Sequence, residues 1–206
     1  MKNTKAHILD TALTLFNTQG LSKVTLRTIA NEMGISQGNL CYHFKKRETI
    51  IESLYFKLVS RIDESMSKNE VRTIGLASLF STSTVIMESF YDYRFIMLDF
   101  VQLMRENATI KTHYLQLSKL REEQFLMLFS VLVNTKILQK EELPNDYLFL
   151  YKRIQILGDF WISSAETTSS KLSKKMIQDY STLINRSIYP YLTEVGKKEF
   201  LKLITK

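Results

Sequence analysis

The residues best suited to chemistry in this chain lie between Thr25 and Arg47, and the chemistry they suit is hydrogen bonding to nucleic acid. Gln37 and Asn39 each carry a donor and an acceptor side by side, the pair that matches adenine in a major groove, and Arg27 carries the fork that matches guanine. Tyr42 offers a ring to a thymine methyl, and Gly38 lets backbone come close. On a helical wheel Gly38, Asn39 and Tyr42 share one face with Cys41 flanking, while Gln37 falls towards the packed side but in a first turn that can reach bases end-on. His43, Lys45, Lys46 and Arg47 follow and suit the sugar-phosphate backbone, and Thr25 and Ser36 stand where helix N-termini would offer N–H groups to a phosphate. About five phosphates neutralised per subunit would make binding fall steeply with salt.

Such side chains need two short helices set at an angle, and the spacing supplies them. Thr25 can cap a helix carrying Leu26, Ile29, Ala30 and Met33, Gly34 can end it, and Ser36 can cap a second with Leu40 and Phe44 on its buried side. Neither can bury its apolar face alone. The stripe Ile8, Leu9, Ala12, Leu15 and Phe16 predicts a helix over 4–19, ended by Gly20, that provides the missing surface. Together they outline a three-helix head of the helix-turn-helix kind.

Charge follows the same division. Residues 1–47 hold seven Lys/Arg against Asp10 and Glu32, so most of the net +7 sits in less than a quarter of the 206 residues. A basic head on a nearly neutral body suits a polyanion-binding module joined to something else. The lone Cys41 excludes an internal disulfide and fits a reducing compartment; a redox role beside Lys45 is weighed against a small groove residue, and the absence of a second cysteine favours the latter. His7, Asp10 and Thr14 interrupt the N-terminal apolar residues as no signal peptide would, and no apolar run approaches the ~18 residues of a membrane span. The expectation is a cytoplasmic protein without a membrane partner. His7, His43 and His113 are too scattered for a metal site, and no cofactor motif is present.

Beyond the head the pattern is helical throughout, with no strict alternation for a sheet. A linking helix is expected over about 47–67, then helices at about 71–90, 92–106, 109–134, 146–167 and 173–194, with a short one near 196–204. The expected division is a DNA-binding head at 1–47 and an effector-binding and dimerisation body at 48–206, of which 48–67 links the two. The body's aromatics are mostly core, with a subset lining a cavity. Tyr93, Phe100, Phe125 and Phe129 are candidates, joined by Asp99 and Asp159, because a carboxylate in an apolar run is paired, on an exposed edge, or functional. Arg94, Arg105 and Arg121 are possible partners for these carboxylates or for an acidic effector.

The order Ile8, Ala12, Leu15-Phe16, Gly20, Thr25, Ile29-Ala30, Gly34 to Leu40, His43-Phe44, Arg47-Glu48 and Ile50 resembles, without a gap, the N-terminal domain of the tetracycline-repressor (TetR) family. The family usually has Tyr after Leu40, where Cys41 stands here, and Tyr42 can take over part of that role. The resemblance implies an all-α homodimer reading a palindromic operator on double-stranded DNA, with a small effector in the body and dimerisation through the last two long helices. For those helices the stripes Tyr147, Leu150, Ile154, Leu157, Trp161 and Ile177, Tyr180, Ile184, Ile188 are compatible. The expected function is a ligand-responsive transcriptional regulator, with repression the expected sign, a largely hydrophobic effector and no catalysis. An enzyme or carrier on the same scaffold lacks a Ser/His/Asp set or phosphate-cradling loop and leaves the basic head unexplained. Sequence-independent DNA packaging would leave the polar reading face unexplained.

Overall fold

The computed structural model of the chain describes residues 4–70, 75–169 and 171–205. Every regular element among them is helical, apart from an isolated antiparallel bridge between Leu138 and Leu192. The head is α1 (Thr4–Gln19), α2 (Leu26–Glu32) and α3 (Gln37–His43), and α4 (Arg47–Glu70) leads out of it. The body adds α5 (Leu76–Asp92), α6 (Arg94–Leu98), α7 (Phe100–Glu106), α8 (Ala108–Asn134), α9 (Asp146–Thr168), α10 (Lys175–Ser187) and α11 (Glu194–Ile204).

Local chemistry fixes the head. Gly20 ends α1 at φ +82°, and Leu21 and Val24 plug the connection to α2. Thr25 caps α2 reciprocally with Thr28: the Thr28 N–H donates to the Thr25 hydroxyl (3.2 Å) and the Thr25 N–H to the Thr28 hydroxyl (2.8 Å). At the other end Gly34 adopts φ +65°, its N–H donating to Asn31 and that of Ile35 to Ala30, the pair of bonds that closes a helix through a left-handed residue. Ser36 accepts from the Asn39 N–H (3.1 Å) and starts α3. Leu40 and Phe44 are fully buried against Ile8, Phe16, Ile29 and Ile50.

The head core does not stop at α4. One apolar cluster runs from Ile8 and Phe16 through Leu54 and Leu58 to Phe95, Ile96, Trp161 and Ile184, and a second gathers Leu76, Phe129, Leu132, Leu150, Leu192 and Phe200 at the far end.

Three element boundaries differ from expectation. The helix expected at 92–106 is two pieces: Tyr93 (φ −110°, ψ 32°) and Asp99 (φ −103°, ψ 20°) leave helical geometry and turn α6 away from its neighbours. The helix expected at 173–194 stops at Ser187 because Pro190 has no N–H to continue it; a 3-10 turn at Tyr189–Tyr191 follows, and Thr193 caps α11 by accepting from the Gly196 N–H. The linking helix runs on to Glu70, and the first residues of the helix expected at 71–90 lie outside the described residues.

Candidate nucleic-acid interface and effector cavity

The turn after α2 and the cap at Ser36 hold α3 so that its apolar side is spent on the head core and its other side is left to solvent. Gln37, Gly38 and Asn39 are exposed, Arg27 on α2 is exposed, and Tyr42 projects at 84% exposure with its ring edge-on to His43. Thr25 and Ser36 are exposed at their N-caps, and Lys45 and Lys46 are exposed just past α3. Lys5 of α1 is exposed as well, its ammonium 5.4 Å from the centre of the Phe44 ring at the end of α3. Charge patterning alone did not single out Lys5, because nothing in sequence places α1 beside the end of α3.

Arg47 is different from its basic neighbours. Its guanidinium donates to the carbonyls of Leu21 (2.8 Å) and Val24 (3.3 Å), and lies 3.6 Å from Glu48. It therefore pins the connection between α1 and α2 to the start of α4. Among the residues expected to grip phosphates, Arg47 is thus the one whose Nη1 is committed to backbone carbonyls.

The body holds a cavity of about 310 Å³, lined by α4, α5, α6, α7, α8, α9 and α10. Its walls are almost wholly apolar, with Leu58, Ile62, Ile86, Met97, Leu128 and Ile154 among them. Of the residues expected there, Phe100, Phe125 and Asp159 line it. Tyr93, Asp99 and Phe129 do not. Phe129 is fully buried behind Phe125, their rings stacked at 4.0 Å. Tyr93 is buried at the junction of α5 and α6 beside the head, and Asp99 approaches the backbone of Leu21. An apolar stripe cannot tell a cavity wall from the layer behind it, where Phe129 lies, nor from the contact with the head, where Tyr93 and Asp99 lie.

Asp159 is the carboxylate on the cavity wall. Burial pushes its carboxyl up to about 6, against a hydrogen bond donated by the Tyr114 hydroxyl (2.5 Å) that favours the charged form. Gln155, one turn before Asp159, donates to the Tyr114 oxygen (3.2 Å) and to the Ser118 hydroxyl (2.7 Å). Sequence reading named neither Gln155 nor Ser118; the i, i+4 spacing of Gln155 and Asp159 was the available signal.

Head and cavity are joined through α6. The Asn17 amide donates to the Asp92 carbonyl (2.7 Å), and its carbonyl accepts the Phe95 N–H (3.1 Å), so one α1 side chain bridges the end of α5 and the start of α6. Phe16 stacks on Phe95 at 4.9 Å, and Arg61 of α4 pairs with Asp92 at 2.7 Å. The next residues of α6, Ile96 and Met97, line the cavity.

A capped helix pair with a polar outer face on a basic head defines a helix-turn-helix DNA-binding protein. Residues 8–54 match the family described as bacterial regulatory proteins, tetR family, and residues 58–200 match its partner domain, described as bacterial transcriptional repressor. The chain belongs to the TetR family of DNA-binding transcriptional regulators. Among relatives, it is 36% identical over 63 residues to the HTH-type transcriptional regulator AcrR of Shigella flexneri, a match spanning 31% of this chain and 29% of AcrR. It is 22% identical to the uncharacterized HTH-type regulator YerO of Bacillus subtilis over all of this chain and 77% of YerO. A solved TetR-family regulator from Marinobacter aquaeolei VT8 superposes with a TM-score of 0.87 over 98% of this chain and 97% of that one, at 22% identity, a likeness of fold. No helix among the described residues is long and apolar enough to cross a membrane.

Proposed function

We propose that the protein is a ligand-responsive repressor that binds a palindromic operator as a homodimer and releases it when a largely apolar effector enters the cavity. Arg27, Gln37, Gly38, Asn39 and Tyr42 read base edges. Thr25, Ser36, His43, Lys45 and Lys46 hold phosphates, while Arg47 positions the head. Residues 1–47 act as the reading unit and 48–206 as the effector and dimer unit, with α4 shared between them. The cell compartment that suits this role is the cytoplasm.

The observation that carries the reading is α6, whose Phe95 stacks on the head while Ile96 and Met97 touch the cavity. A ligand that moves those side chains must move or strain the surface against which α1 is docked, which is the differential contact a two-state regulator requires. Dimerisation is assigned to the apolar side chains that α9 and α10 leave outside: Phe149, Ile156, Phe160 and Leu183, between 40% and 63% exposed. The stripes expected to do this point the other way. Tyr147, Leu150, Trp161, Ile177, Ile184 and Ile188 are buried within their own chain.

The test is titration of apolar small molecules into the complex of the protein with DNA from upstream of its own coding sequence, followed by fluorescence anisotropy. A compound that binds the free protein should lower DNA affinity by about 5- to 150-fold. Ligand binding that leaves DNA affinity unchanged would contradict the effector reading.

A further inference from the structure

Of the polar groups on the cavity wall, Ser83 bonds to Asn185 on one side, while Tyr114, Ser118, Gln155 and Asp159 form a connected group on α8 and α9 whose members are unequally satisfied. Gln155 has placed its amide donors on Tyr114 and Ser118, and Tyr114 has placed its proton on Asp159. Asp159 receives that one neutral donor, although an ionised carboxylate can accept about four hydrogen bonds. Among the described residues no Lys, Arg or His nitrogen lies within 4.0 Å of it. Arg121, the other charged residue on the wall, is already paired with Asp63 and donates to Gln124 at 2.6 Å. Around this group stand aromatic rings: Tyr114 edge-on to Phe100 at 5.0 Å, Tyr151, and Phe90 against Gly158.

We propose that this group forms a cation subsite and that the effector is a lipophilic amine or quaternary ammonium, its charge against Asp159 and its hydrocarbon body along the apolar wall. The inference rests on the effector-cavity reading above and names the ligand class for it. A carboxylate held among apolar atoms with one neutral donor is costly, and a ligand cation offsets that cost where a neutral ligand does not. The rings of Tyr114, Phe100 and Phe90 line the same cavity, and a cation seated over any of them gains further attraction. An acid would be repelled by Asp159 and would find Arg121 already engaged.

Calorimetric titration with decyltrimethylammonium, decanol and decanoate, below their micelle concentrations, separates the possibilities because the three share one hydrocarbon chain. The cation is expected to bind about tenfold or more tighter than decanol, with decanoate weakest. In Asp159→Asn the ratio of cation to decanol affinity should collapse to about one. Decanoate preferred over the cation, or a cation preference that survives Asp159→Asn, overturns the subsite and leaves the apolar cavity standing. Failure of all three to bind overturns the subsite together with the cavity's role. If the variant does not fold, as judged by circular dichroism, the ranking of the three probes on the native protein decides alone.

Discussion

Residues of one chemical type divide by geometry into those that recognise and those that build. Arg47 shows the division best, since sequence groups it with Lys45 and Lys46 while the fold gives it two backbone carbonyls to hold. Arg47→Ala is expected to cost about 1–3 kcal/mol of stability, as orphaned carbonyls would, and to leave the salt dependence of DNA binding unchanged; Lys46→Ala should do the reverse. Thermal denaturation and a salt titration of DNA affinity separate the two, and a reduced salt slope in Arg47→Ala would return it to the phosphate set. Asp159 makes a second prediction through its pKa, raised from 3.8 to about 6. The folded state then binds more protons than the unfolded state between those values. The stabilisation is present below about pH 4 and is lost as pH rises through 6. Of the groups around it, Tyr114 and Tyr151 stay neutral in this range. Asp159→Asn should therefore be more stable than the native ligand-free protein at pH 7, by on the order of 2 kcal/mol after allowing for partial exposure, with no gain at pH 4. Equal melting temperatures at pH 7 would contradict the burial of that charge. Asp159 was legible in sequence as a carboxylate in an apolar run, whereas Asp99 looked the same and sits elsewhere, because periodicity records burial and not what lies on the other side.

Among elements, the head was the most legible part, since its helices are set by local chemistry: Thr25, Gly34 and Ser36 act within a few residues of themselves. The division of 92–106 was not legible, because it depends on a partner distant in sequence. Asn17 holds the Phe95 N–H and the Asp92 carbonyl, 78 and 75 residues away, and so fixes where α6 begins. The proposed function makes this contact the coupling element. Asn17→Ala should still bind ligand and operator, but the fold-change that ligand causes in operator affinity should shrink, by an amount on the order of 1 kcal/mol in coupling. Operator affinity measured with and without a bound cavity ligand tests it, and undiminished coupling would move transmission to another path, such as α4 through Arg61 and Asp92.

The whole molecule carries a basic head at one end, a body holding an apolar cavity, and exposed apolar side chains on α9 and α10. The sequence announced the first plainly through its charge distribution. It did not point to the last, because the strongest stripes on α9 and α10 serve the chain's own core and the proposed dimer face falls to the weaker set of Phe149, Ile156, Phe160 and Leu183. Ile156, at 63% exposure, is the discriminating position. Ile156→Glu should yield a folded monomer by sedimentation, and its operator affinity should fall by more than about tenfold as one head loses the aid of the other. A dimer that persists would place the interface elsewhere. The central claim, that the exposed face of α3 reads a sequence, is tested most directly by one comparison. Affinity for the protein's own upstream DNA and for random duplex is measured at about 50 and 200 mM salt, for the native protein and for Asn39→Ala. The account predicts a preference for the upstream fragment that survives the higher salt and drops by about 1–3 kcal/mol in Asn39→Ala, with random-duplex binding little changed. Equal binding to both duplexes, lost alike as salt rises and indifferent to Asn39, would contradict it.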